Sequence, residues 1–223
     1  MEILYTIAGL VALSLIGRWL RRKTAVAVPP PHIQLYPATA SGQHAKDLLE
    51  RRHDLDACGM KRIGTYRVDP LNVVCTAFLN EAESICTVVY HHSAVGCFVD
   101  VVSKSEAGRT FTASNAPQGG TLDQREGHVK VFDRTLGIPE MFEMVKERRP
   151  EGPWDAWNRD NFAQRFEQAY ADEMAWRATR GGVTRDEVRR TAQASGKTYP
   201  EEHIQQATRQ IQDQYAQSRR DHA

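Results

Sequence analysis

The sequence predicts an α+β domain carried behind a single membrane-spanning helix. Three observations lead there. An uninterrupted apolar run occupies the N-terminus. Beyond a short helical stretch, apolar spacing changes from near four to two through six segments rich in Val, Thr, Phe and Tyr. Helical spacing then returns at Ile138 and continues to the C-terminus.

Residues 3–20 read ILYTIAGLVALSLIGRWL. At 1.5 Å per residue this run spans roughly 27 Å, close to the apolar thickness of a bilayer. Arg18 is the one charge inside it, near enough to the end to snorkel, and Tyr5 and Trp19 stand where interfacial aromatics are expected. Arg21, Arg22 and Lys23 follow at once, so the bulk of the chain is expected on the cytoplasmic side of a cell membrane. A cleaved signal peptide carries its positive charge before the apolar run, and an interfacial helix needs a polar face; this segment has neither. Residues 1–23 are thus an anchor in contact with lipid.

Residues 24–42 contain Pro29, Pro30, Pro31 and Pro37 and read as a semi-rigid extended spacer. Residues 43–150 form the expected α+β domain. Its opening helix, 43–52, places Ala45, Leu48 and Leu49 on one side, the side expected to face a core. Strands are expected at 62–68, 71–79, 84–91, 96–103, 109–114 and 128–132, with short turns at 80–83 and 105–108. Short connections favour hairpins, hence an antiparallel meander. The helix 138–149 is bounded by Gly137 and Pro139 at its start and Pro150 at its end. Residues 151–223 read as a helical extension. Trp154 and Trp157 lead into Phe162, Phe166, Tyr170 and Met174 every four residues; Gly181-Gly182 interrupts the pattern; Thr184 and Glu187 form a capping box; and Pro200 opens a last helix with Ile204, Ile211 and Tyr215 on a thin stripe. This extension is too weakly apolar to fold alone and is expected to lean on the sheet, a second copy or a protein partner.

The chain has 223 residues, 41% hydrophobic and 26% charged, with a formal net charge of +1. That supports an ordinary core and removes the basic field that nucleic-acid binding requires. The four cysteines include no C-x-x-C pair and no zinc-finger spacing with histidine. Cys75, Cys86 and Cys97 stand eleven residues apart. Hairpins pairing Cys86 with Ala77 and Cys97 with Tyr90 put the three thiols on one face beside Val73, Val88, Val99 and Val101. They are then too far apart along the strands for one metal ion, so buried, inert, metal-free core thiols are expected. The same register separates His91 from Asp100, so no acid–base pair is expected between them.

Gly196-Lys197-Thr198 lacks the earlier glycine of a phosphate-binding loop, since Thr191 stands there, and Ser93 lacks the glycine of a nucleophile elbow, since His91 stands two before it. No HExxH or GxGxxG occurs. No cofactor is implied. The least ordinary stretch is 114–127, a long Gly- and Pro-containing loop, and Asn115, Gln118, Gly119 and Gly120 are the expected ligand or partner contacts. They border an expected half-exposed sheet face carrying Thr76, Phe78, Thr87, Val89, Phe98, Asp100, Thr110 and Thr112. The leading functional expectation is a membrane-anchored interaction or ligand-binding module. A small membrane-tethered hydrolase and a scaffold acting through its C-terminal helices are the alternatives.

Overall fold

The computed structural model describes residues 30, 32–93, 95–117, 119–194, 196 and 198–221. The expected anchor helix at 3–20 and the candidate contact Gln118 lie outside these residues. Among the described residues no helix is long and apolar enough to cross a membrane.

The chain builds an α+β fold around one seven-stranded sheet in the order β1 to β7. The strands are β1 (Gln34–Pro37), β2 (Lys61–Asp69), β3 (Val73–Asn80), β4 (Ile85–His92), β5 (Gly96–Lys104), β6 (Thr110–Ser114) and β7 (His128–Phe132). Helices α1 (Gly42–Glu50) and α2 (Arg52–Ala57) precede β2. After the sheet come α3 (Ile138–Arg148), α4 (Phe162–Thr179), α5 (Arg185–Ala194) and α6 (Glu201–Asp221). All neighbouring strands are antiparallel except β6 and β7, which are parallel. A parallel pair cannot be closed by a tight hairpin. The long loop after β6 is therefore a crossover, which corrects the expectation of a pure meander.

Both faces of the sheet are covered. Cys75, Ala77, Cys86, Val88, Tyr90 and Phe98 pack under α4 and Trp157, with Ile33 and Leu35 closing one side. On the opposite face Phe78, Ile85, Val89, Val99, Val101 and Phe111 pack under α3, with Leu55 of α2. A smaller cluster joins α5 to α6. The four-residue aromatic spacing of α4 thus becomes one wall of the main core: Phe162, Phe166 and Tyr170 are fully buried against the sheet, while Trp154 is half-buried under the Arg149 guanidinium.

Two hairpin registers differ from expectation, with unequal consequences. Cys86 pairs with Leu79 instead of Ala77, because the β3–β4 turn takes in Ser84 at positive φ and Asn80 accepts from the Glu83 amide. A shift of two leaves every side chain on its face. Cys97 pairs with His91 instead of Tyr90, because the β4–β5 turn closes on Gly96 at φ +87°. A shift of one reverses the faces. Cys97 therefore lies with Val89 and Val99, on the other side of the sheet from Cys75 and Cys86. The expected half-exposed face dissolves for the same reason: Phe98, Asp100, Thr110 and Thr112 turn toward α4, Thr76, Phe78, Thr87 and Val89 turn the other way, and all eight are buried.

The expected spacer also contains structure. Gln34–Pro37 pairs with β2, and buried Ile33 and Leu35 tie it into the core.

Candidate functional site

Helix α1 sits on the sheet the wrong way round for an amphipathic helix. Its buried residues are His44 and Asp47, while Leu49 is 70% exposed and Leu48 is only partly covered. The reason lies on the sheet below, where Thr76, His91 and Cys97 offer polar partners instead of apolar surface. This departure from the expected helix face marks the candidate site, since local pattern tends to fail where a sequence serves another demand.

Asp47 is the hub. Its Oδ2 accepts from His91 Nδ1 at 2.8 Å and its Oδ1 from Gln43 Nε2 at 3.0 Å. The Cys97 thiol hydrogen-bonds the same carboxylate. Burial opposes the charge on Asp47, but the Gln43 and His91 donors, with Arg51 nearby, hold its carboxyl below the usual range. Burial pushes the Cys97 thiol up to about 11, and the anionic Asp47 acts in the same direction. Cys97 is therefore protonated and weakly nucleophilic. Burial lowers His44 to about 4, helped by His91 and Arg62 and opposed by Asp47.

His44 heads a second chain of contacts. Its Nε2 meets Thr76 Oγ1 at 2.9 Å, Thr76 meets Thr65 Oγ1 at 2.8 Å, and Arg62 donates to Thr65. The His44 and His91 ring centres are 6.2 Å apart. The expectation that His91 forms no pair with Asp100 agrees with the structure, but its carboxylate partner comes from Asp47, far away in sequence. A helix carrying His and Asp on the side opposite its leucines was the available signal.

Asp100 meets a cation on the other face. Lys130 of β7 donates to its Oδ2 at 3.1 Å, both side chains being buried, and the ammonium also lies 5.2 Å from the Phe132 ring centre. Burial lowers the Lys130 pKa, with Asp100 opposing.

The loop flagged in the sequence is occupied with holding the fold. Asn115 accepts from the Val99 amide at 2.7 Å and donates to the Leu136 carbonyl at 3.2 Å. A side chain at Gly119 would fall inside the Phe132 ring, and Gly120 has φ +81°. Further on, Thr121 meets Thr191, and Asp123 pairs with Arg180 and Arg190. Glu187 binds the Asp123 amide and Arg177 while also closing the capping box with Thr184. The loop is thus a socket for α4 and α5.

One open groove of about 420 Å³ lies between α2 and α3. Cys58, Pro139 and Phe142 line its apolar part, with Glu83, Glu143 and Lys146 among its charged residues. Lys146 and Arg149 bind Glu83 at 3.1 and 2.9 Å, and the hydrogen bond from Lys146 leads in holding its carboxyl low.

Among the described residues no group of three or more His, Cys, Asp or Glu is arranged to hold a metal ion. Fold and site together describe a three-layer α+β domain with one helix docked through polar contacts. Comparison with known protein families, with curated proteins and with solved structures finds no match.

Proposed function

We propose that this chain is a single-pass membrane-anchored protein whose α+β domain, on the cytoplasmic side, binds a protein partner or a small ligand. The apolar run 3–20 and the basic cluster behind it support the anchor. The observation that carries the binding reading is the α2–α3 groove. Its volume lies within the few-hundred-Å³ range of ligand sites, its lining is partly apolar, and its charged rim is already held in place by ion pairs before anything binds. Ala57 is exposed at its edge, so Ala57→Trp fills the groove without entering the core. After cross-linking in intact membranes, the wild-type chain is expected to recover a partner that Ala57→Trp loses at unchanged melting temperature. Equal recovery by both chains, or recovery no greater than that of the anchor alone, counts against this reading. Recovery that depends on α6 instead supports the scaffold.

One observation favours a second reading, a membrane-tethered hydrolase. Asp47 orients His91 through Nδ1 at 2.8 Å, and the His91 side chain is 23% exposed. That leaves Nε2 available as a base toward water.

A further inference from the structure

The seating of α1 is unusual in what it depends on. His44, Asp47 and Leu48 are its inward contacts, and two of the three are ionisable. The attachment therefore depends on protonation state more than on buried apolar area.

A chain of hydrogen bonds runs beneath α1 from Arg62 to His44. A guanidinium only donates. Arg62 donates to Thr65 Oγ1, Thr65 and Thr76 share one hydrogen bond, and Thr76 shares the next with His44 Nε2. A hydroxyl has one proton and two lone pairs, so Thr76 fits either neutral tautomer of His44 at Nε2. The other ring nitrogen is Nδ1. That atom is buried and, among the described residues, has no hydrogen-bond partner.

A protonated imidazole donates at both ring nitrogens, and with Thr76 at Nε2 the Nδ1 proton is left buried without an acceptor among the described residues. The surrounding charges add to this conflict. Arg62 of β2 and His91 of β4 disfavour a cation at His44; Asp47 of α1 favours one but is already bound by Gln43, His91 and Cys97 of β5. Thr76 of β3 is neutral.

We propose that α1 is an acid-released latch, in which protonation of His44 leaves a charged N–H buried without an acceptor and frees the helix from the strip formed by Thr76, His91 and Cys97. The sign follows from burial. His44 titrates at about 4 when docked and at 6.5 when free. Neutral His44 therefore contributes stability that is complete above about pH 6.5 and is lost as pH falls toward 4. The loss is confined to the window between those values. The latch does not depend on the groove or on what it binds.

Amide exchange on the full chain in detergent micelles tests this, comparing about pH 7 with about pH 4.5 after correction for the intrinsic rate. Protection of residues 46–50 is expected to fall roughly tenfold or more at the lower pH, with β3 and β4 unchanged. His44→Gln can still hydrogen-bond Thr76 but takes no proton, so its α1 should stay protected at both. Arg62→Met removes a charge that repels protonated His44, so the docked helix tolerates the added proton better and its release should need a lower pH. Wild-type protection that does not change overturns the proposal, as does an equal fall in His44→Gln. If His44→Gln does not fold, Arg62→Met decides: a release midpoint at or above the wild-type pH overturns the latch.

Discussion

Asp100 and Lys130 stand on adjacent parts of the sheet, yet they reach one another only because β7 returns parallel to β6. Their side chains are 0% and 3% exposed, so removing one partner leaves the other charge buried without compensation. Asp100→Ala is expected to cost about 3 to 5 kcal/mol in urea unfolding. Asp100→Leu combined with Lys130→Met should cost much less, because it removes both desolvation penalties together. Single and double substitutions that simply add, within about 0.5 kcal/mol, would show the pair to be uncoupled. Gly119 is constrained in a different way: the Phe132 ring occupies the space a side chain needs.

Among the elements, the two outer strands have their edges covered. The Leu35 amide of β1 donates to Glu167 of α4. On β7, the Gln124 side chain gives and accepts one hydrogen bond with the Lys130 backbone, each 2.8 Å, as a neighbouring strand would. Such capping limits edge-to-edge association. Helix α4 has the largest structural task. Trp157, Phe162, Phe166, Tyr170 and Met174 bury one face of the sheet. Each contributes about 1.5 to 3 kcal/mol, and together they rival the whole net stability of an ordinary domain. A chain ended at Pro150 is expected to aggregate and to lose its cooperative thermal transition, as followed by circular dichroism and size exclusion. A soluble, monomeric product with the full-length melting temperature would make α4 dispensable.

At the scale of the whole molecule, the proposed anchor sets which compartment the domain faces. A C-terminal alkaline phosphatase fusion, active only outside the cytoplasm, is expected to be silent, because Arg21, Arg22 and Lys23 follow the apolar run. Strong activity would reverse the orientation. Much of the architecture was legible before any coordinates: six of the strands, the helix from Ile138, the Thr184–Glu187 cap and the aromatic stripe of α4 all rest on local signals of period, turn and cap. β1 was hidden in a proline-rich stretch, since only its pairing with β2 makes it a strand. The candidate site was hidden too. Asp47 and His91 are forty-four residues apart, and no local rule brings a helix and a strand together or chooses which side of α1 turns inward. The faces taken by Cys97 and Asp100 depended on one residue of register, set by where Gly96 closes a turn. Side-chain direction alternates at every residue of a strand, so a slip too small to alter the strand itself reassigns everything beyond the turn to the opposite face.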